Sequence, residues 1–340
     1  MPCLVRPVGS APSLGDPLVD EYLRFTAARV RANTLTAQAF DLKVFFTVVP
    51  KAPQQVTVTD VLLFIEAQRA PRRGGNVIRL ADGEAGLAAS TIKRRLATVS
   101  SLFDYLFLRG VCDRNPVPRS LGARHARPDG RGHGGRRGAP LVRAPRKLPR
   151  VLAPAEVSAL TGALRTDRDR AMVALMVHGG LRRCEVLGLR FEHVQVGDRR
   201  VFVADGKGGH QRLVPVADVF FTTLASYLSG ERPAEAVDDH VFVVLKGPNR
   251  GRPLTAAGLD EVMAGARGRA GLSHASCHEL RHTCFTRLRE AGMALEAIQA
   301  QAGHASIETT RVYLHLSNDW LAGEYQRAMA ILDGLHEEEP

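Results

Sequence analysis

The sequence has no long apolar segment and few cysteines, and both absences restrict what the protein can be. No apolar run approaches the roughly 18 residues of a membrane-spanning helix, and the densest run, 172–177, lies among charged residues and glycines. The first residues contain no apolar core, so we expect no secretory signal. The five cysteines are odd in number and form no CxxC pair, which argues against a disulfide framework and a cysteine-rich zinc site. These absences predict reduced thiols in a cytoplasmic protein.

What the chain has in excess is positive charge. Its 340 residues include 46 Lys or Arg against 35 Asp or Glu, for a formal net charge of +11. Apolar residues make up 45% and charged residues 24%, the balance of a globular protein, and the length predicts two domains joined by a linker. A basic cytoplasmic chain most often meets nucleic acid, so nucleic acid is the expected partner.

Most of this charge lies in one segment, 117–150. The segment holds ten Lys or Arg and a single acidic residue, with six glycines and five prolines and no hydrophobic period. We therefore predict an extended basic linker at 117–150, between a helical domain at 16–116 and a mixed domain at 151–330, with an acidic tail at 331–340. Charge blocks of this kind are usually interaction segments, although a solvated tether is the alternative. Four of its basic residues are candidate DNA contacts: Arg136, Arg137, Arg146 and Lys147.

The clearest helix of the N-terminal domain is predicted at 91–108. Six apolar residues recur there at spacings of three and four, which predicts one buried stripe. They are Ile92, Leu96, Val99, Leu102, Phe103 and Leu106. Ser90 is the expected N-cap, and Gly110 is expected to end the helix.

The first turns of this helix carry hydroxyl and basic groups away from the predicted stripe. They are Thr91, Lys93, Arg94 and Arg95. Such groups at the N-terminal end of a helix suit the phosphates beside a duplex groove, so Thr91, Lys93 and Arg94 are candidate DNA contacts. An ordinary solvated face explains this segment equally well.

The chain after the linker mixes helices with strands. We expect helices beginning near Pro154 and running from Asp167 to Val177, then two alternating strands at 199–203 and 212–216 that form a hairpin. Helices resume near Leu259, and one at 294–302 is expected to end at Gly303.

Two short patterns in this part could carry chemistry. Arg182 and Glu185 share a face at i, i+3, which alone indicates only an ion pair on a short helix. The second pattern is a formal HExxH, with His278 and His282 as possible zinc ligands and Glu279 as base. The longer peptidase form fails because residues 285 and 288 are Phe and Leu, not Gly and His. Arg281 lies on the same helix face as both histidines, and a cation beside imidazole suits an anionic substrate better than zinc.

Taken in order, these pieces resemble the signature of one family. Arg182 with Glu185, the turn 206–208, His278-x-x-Arg281, Gly303-His304 and then Tyr313 are similar to the catalytic motifs of tyrosine recombinases, the phage integrase family. Segments of 34–116 are similar to that family's N-terminal core-binding domain. Five motifs in order with plausible spacing are a specific signal.

The resemblance implies a fold and a chemistry. The fold is mainly α (α+β): a helical, SAM-like core-binding domain, a basic linker, and a mixed catalytic domain with a small antiparallel sheet. Each residue that matches a motif takes on an implied role: Arg182 and Arg281 clamp the phosphate, Tyr313 attacks it, Lys207 protonates the leaving oxygen, His278 accepts the tyrosine proton or orients the phenol, His304 binds a phosphate oxygen, and Glu185 supports Arg182. No cofactor and no metal are implied.

The implied function is site-specific DNA recombination. The implied partners are duplex recombination sites and further copies of the chain in a homo-tetramer, with a second recombinase or an accessory protein as an option. Three rival interpretations are a type IB topoisomerase, a catalytically silent DNA-binding regulator, and the HExxH zinc peptidase. The sequence does not distinguish integration, excision, resolution and transposition.

Overall fold

The computed structural model describes the greater part of the chain. The described residues are 11–70, 86–118, 141–143, 150–206, 211–236 and 238–303. The chain divides into two compact units, Met1–Arg146 and Lys147–Pro340, so the division falls inside the predicted linker. Helices dominate both units, with one small antiparallel sheet, which confirms the predicted fold class. Within the described ranges, no helix is long and apolar enough to cross a membrane.

The first unit is a small helical bundle. Its helices are α1 (Pro17–Ala27), α2 (Ala32–Val48), α3 (Val58–Arg69) and α4 (Ala89–Leu108). All six residues of the predicted stripe on α4 are buried, where they pack with aromatic residues such as Phe45 and Phe64. Gly110 follows the helix with φ of +69°, as expected for a glycine that ends a helix.

The first turns of α4 differ from the prediction in two respects. The N-cap is Ala88 rather than Ser90, which lies inside the helix. Arg95 is buried rather than solvated, because its guanidinium donates to Gln68 Oε1 at 3.0 Å. Arg94 is half exposed and pairs with the buried carboxylate of Asp41.

The predicted linker contributes to the core of the first unit. Val117 and Val142 are both buried there, 6% and 2% exposed, beside the helices of the bundle. Apolar side chains at these two positions fasten parts of the basic segment to the helical unit.

The second unit combines seven helices, among its described residues, with a three-stranded sheet. The helices are α5 (Pro154–Gly162), α6 (Asp167–His178), α7 (Arg183–Leu187), α8 (Asp218–Gly230), α9 (Ala256–Arg269), α10 (Cys277–Glu290) and α11 (Leu295–Ala302). The strands β1 (Val194–Gln195), β2 (Arg200–Val203) and β3 (Arg212–Pro215) pair antiparallel in the order β1-β2-β3. The predicted hairpin is confirmed by the β2–β3 pairing, in which Val201 faces Val214. α8 was not predicted.

Helix α6 forms the centre of this unit. Seven consecutive residues, Ala171–Val177, are buried, which requires neighbours on every side of the helix. The helix ends at Gly179, and Gly180 then adopts φ of +67°, a conformation that glycine adopts without steric cost. Arg182 follows as the N-cap of α7.

Candidate active site

Arg182 is held at the start of α7 by Glu185. Its backbone N–H donates to Glu185 Oε2 at 2.8 Å, and its Nη1 donates to Glu185 Oε1 at 2.7 Å. The predicted i, i+3 pair is therefore present, with the carboxylate fully buried and the guanidinium one-fifth exposed. A guanidinium fixed in this way keeps donors available on its exposed side.

Arg281 approaches the same carboxylate from α10. Its side chain is 4% exposed, its Nη1 lies 3.8 Å from Glu185 Oε2, and Nη1 also donates to the carbonyl of Gly180. The ring of Phe285 lies under the guanidinium, with 4.8 Å from Cζ to the ring centroid. The structure thus brings together Arg182, Glu185 and Arg281, three of the residues predicted from separate motifs.

Arg212, on β3, is a third arginine of the cluster and is absent from the sequence-based prediction. Its Nη1 and Nη2 donate to Glu185 Oε1 and Oε2 at 3.0 and 2.8 Å. Burial alone would raise the pKa of Glu185, but the hydrogen bonds from Arg212 and from the Arg182 backbone outweigh it and hold the pKa at about 2. The carboxylate is therefore ionised at neutral pH, and the cluster of three guanidiniums and one carboxylate carries a net charge of +2.

The C-terminal end of α11 is tied to the same three arginines. Arg212 Nε donates to the carbonyl of Gln301 at 2.7 Å, and Arg281 Nη2 donates to that of Ala302 at 2.6 Å. Arg182 Nη2 lies 3.5 Å from the carbonyl oxygen of Gly303. The last carbonyls of a helix lack partners within it and carry partial negative charge, so three cations stabilise this end. Gly303 ends the helix in the left-handed conformation, as predicted.

His278 and His282 lie one turn apart on α10 and contact each other. Their Nε2 atoms are 2.8 Å apart, and the rings meet edge to face. Burial and the nearby Arg281 lower the pKa of His278, and burial with the neighbouring His278 lowers the pKa of His282 to about 4. Both imidazoles are neutral at pH 7, so His278 is able to accept a proton.

The HExxH pattern is part of a helix cap. Ser276 N–H donates to the Glu279 carboxylate at 2.8 Å, and Glu279 N–H donates to Ser276 Oγ at 3.2 Å. Glu279 thus completes a capping box at the start of α10. In the described part of the chain, the one group of three metal-type side chains close together is Asp238, Asp239 and His240, which includes neither histidine of the pattern.

Several predicted residues lie outside the described residues. They are Lys207, His304, Tyr313, Arg136, Arg137, Arg146 and Lys147. On α4, Thr91 is partly buried and Lys93 is exposed, while Arg94 uses part of its guanidinium to pair with Asp41. The proposed DNA contacts on α4 therefore remain predictions.

The chain is similar to known proteins of one family. The sequence pattern of the phage integrase family matches residues 150–319. The chain is 29% identical to tyrosine recombinase XerC of Serratia marcescens, over 94% of this chain and 96% of that protein. It is 31% identical to XerC of Yersinia pestis, over 72% of this chain and 74% of that protein.

A solved structure shows the same fold. The Tn1549 transposon integrase in complex with circular intermediate DNA superposes with a TM-score of 0.64 and 18% identity, over 91% of this chain and 97% of that one. None of these comparisons supports the topoisomerase or zinc peptidase interpretations. The chain belongs to the phage integrase family and is a tyrosine recombinase, an enzyme that cuts and rejoins DNA.

Proposed function

We propose that this chain exchanges strands between specific duplex DNA sites through a 3′-phosphotyrosine intermediate on Tyr313. We assign DNA binding to residues 16–116 and catalysis to residues 151–330, in a cytoplasmic homo-tetramer assembled on two sites. The observation that carries the proposal is the convergence of Arg182 and Arg281 on Glu185. The integrase of similar fold was solved with DNA bound, which supports duplex DNA as the partner.

The positive charge of the cluster suits the reaction. A phosphodiester gains negative charge on its non-bridging oxygens when a fifth oxygen approaches the phosphorus. Guanidiniums offer planar paired donors to such oxygens, and Arg182 and Arg281 are held in fixed orientations by protein acceptors. Loss of one preorganised donor of this kind typically slows a reaction by roughly 10²–10³-fold.

The proton transfers complete the assignment. The Tyr313 oxygen forms a bond to phosphorus as the bond to the 5′ oxygen breaks; His278 takes the phenolic proton, and Lys207 protonates the leaving oxygen. His304 donates to a non-bridging oxygen. Because the phosphotyrosine bond retains the energy of the phosphodiester, rejoining by the reverse reaction needs no ATP.

The experiment that tests this proposal uses a nicked suicide substrate, from which the cleaved strand diffuses away. In the presence of EDTA, the wild-type protein should form a DNA adduct that survives boiling in detergent. Tyr313→Phe removes only the phenolic oxygen, so it should bind DNA with unchanged affinity and form no adduct. Tyr105→Phe, in the first unit, is the matched control and should form the adduct at the wild-type rate.

Two results would contradict the proposal. An adduct that persists in Tyr313→Phe would assign the nucleophile to another residue. Loss of wild-type activity on chelation would require a metal ion and would return the HExxH pattern to consideration.

A further inference from the structure

Each nitrogen of the Arg212 guanidinium donates to the protein, and Arg212 lies in the same cluster as the two proposed phosphate ligands. Its side chain is 9% exposed, and Nε, Nη1 and Nη2 each donate to a protein oxygen: Gln301 carbonyl, Glu185 Oε1 and Glu185 Oε2. These bonds use three of the five N–H donors of the guanidinium. Through them Arg212 holds two groups of the cluster, the Glu185 carboxylate and the end of α11.

The first of these groups is the Glu185 carboxylate. Glu185 Oε1 accepts from Arg182 and Arg212 side chains, and Oε2 accepts from the Arg182 backbone and from Arg212. Without Arg212, the full negative charge of Glu185 would face Arg182 and Arg281 alone, and the net charge of the cluster would fall from +2 to +1. A buried carboxylate attracts the remaining guanidiniums strongly because the surroundings screen charge weakly. Arg212 therefore keeps the charge of Arg182 and Arg281 directed at the substrate.

The second group is the end of α11. A Cβ placed on Gly303 would lie 3.1 Å from Arg212 Nη1 and 3.2 Å from its Cδ, so the arginine side chain packs directly against this turn. The hydrogen bond from Arg212 Nε to the carbonyl of Gln301, two residues before Gly303, fixes the same turn. His304 is the next residue in the sequence after Gly303. Arg212 thus helps to fix the last described turn before His304, the turn at Gly303.

We propose that Arg212 is a positioning residue for DNA cleavage, which both neutralises Glu185 and fixes the turn before His304. This inference rests on the proposed function, since it assigns Arg182, Arg281 and His304 to the phosphate. It makes β3 a structural part of the active site, and it predicts that Arg212 affects the rate of cleavage rather than the affinity for DNA.

The test is a double-mutant cycle on the suicide substrate, with cleavage rate and DNA affinity measured for each protein. Arg212→Met should bind DNA as the wild type does and should cleave about 10- to 100-fold more slowly. A loss of this size is typical when a group that orients the metal-binding side chains of a metalloenzyme is removed, and Arg212 orients side chains in a comparable way. In a Glu185→Gln background the same substitution should have a much smaller effect, because no carboxylate charge remains to be neutralised. Arg212→Lys keeps the charge but not the paired donors, so its cleavage rate should lie between those of the wild type and Arg212→Met. Arg190→Met, which removes an exposed arginine paired with Asp239, should leave the rate unchanged.

Each outcome decides the question. Wild-type cleavage by Arg212→Met, or equal effects of the substitution in the two backgrounds, would overturn the positioning role. If Arg212→Met fails to fold, wild-type cleavage by the milder Arg212→Lys would overturn it equally. Absence of an adduct in the wild-type protein would instead overturn the proposed function, and with it the inference that depends on it.

Discussion

At the scale of single residues, one carboxylate organises the active site. Glu185 is fully buried, accepts hydrogen bonds from Arg182 and Arg212, and has a pKa near 2 instead of the ordinary 4.5. A carboxylate with a lowered pKa stabilises the folded state above its unfolded pKa, and this contribution is lost as the pH falls from 4.5 toward 2. The stability of the protein in mild acid should therefore depend on Glu185.

Glu185→Gln should lower the free energy of unfolding at pH 7, because Arg182 and Arg212 lose the charged group to which they donate. The difference in unfolding free energy from the wild type should narrow by roughly 2 kcal/mol by pH 3, since the carboxyl is then protonated in the unfolded chain but still mostly ionised in the folded protein. Urea unfolding followed by circular dichroism between pH 7 and pH 3 measures both quantities. Glu235→Gln removes a half-exposed partner of Arg250 and should track the wild type across this range. A difference that stays constant with pH would mean that Glu185 does not titrate as described.

The sequence identified part of this cluster and missed part of it. The three-residue spacing of Arg182 and Glu185 predicted their ion pair, and the resemblance to a known family added Arg281 and the proposed roles of all three. Arg212 is 27 residues from Glu185 and 89 from Gln301, and an arginine on an edge strand gives no local signal of either partner. Only the packing of β3 against α7 and α11 reveals its role.

At the scale of elements, the turn between α6 and α7 determines where Arg281 is held. The Gly180 carbonyl accepts from Arg281, and a Cβ at Gly180 would lie 2.8 Å from Phe285 Cε1 and 3.0 Å from its Cε2. Gly180 also has φ of +67°, which is unfavourable for any other residue. This turn and α10 are therefore in contact only because residue 180 has no side chain.

Gly180→Ala should destabilise the protein by about 2 to 4 kcal/mol, the sum of backbone strain and overpacking against Phe285. It should also slow cleavage, because Arg281 loses a fixed acceptor, while DNA affinity is retained. Gly271→Ala is a close control: Gly271 has the same φ of +67°, but a Cβ there would meet nothing within 4 Å. Gly271→Ala should lose only the about 1 to 2 kcal/mol of stability that backbone strain costs, and it should cleave DNA at the wild-type rate. If both variants lose the same free energy of unfolding, overpacking against Phe285 does not explain the effect of Gly180→Ala.

Elements with a regular pattern were predicted well, and irregular ones were not. The stripe of α4 and the alternation of β2 and β3 follow directly from spacing, and both are present. α8 was missed because its sequence combines Phe, Thr and Tyr, residues common in strands, and only three of its side chains are buried. Ser90 is a good capping residue, but the helix begins earlier, at Ala89, because packing rather than capping sets its start.

At the scale of the whole molecule, the two units differ in what they contribute. The proposed catalytic groups that the structure describes all lie in the second unit, and the first unit offers helices whose exposed basic groups include Lys93. Composition alone assigned 117–150 to a linker, since arginine, glycine and proline dominate it. The composition of the whole segment gave no indication that Val117 and Val142 are buried in the core of the first unit. A few apolar side chains within a basic segment are enough to attach it to a folded unit.

The charge of this segment should contribute to DNA affinity. Replacing Arg136, Arg137, Arg146 and Lys147 by Gln should weaken binding and reduce its dependence on salt, because each phosphate contact releases a condensed counterion. If all four contact phosphates, the slope of log K against log salt concentration should become shallower by about 3.6 units, at about 0.9 per contact. Fluorescence anisotropy with a labelled duplex, titrated at several salt concentrations, measures this slope.

The matched control removes the same charge from arginines that already have acidic partners in the second unit. These are Arg170, Arg190, Arg199 and Arg250, which pair with Asp167, Asp239, Asp218 and Glu235. Their replacement by Gln lowers the net charge by the same four units, but an arginine held by a carboxylate neutralises a phosphate only by giving up that partner. The control should therefore keep a slope close to that of the wild type. If both quadruple variants have the same reduced slope, the effect is due to overall charge. If the variant of the basic segment keeps the wild-type slope, the segment is a tether that does not contact DNA.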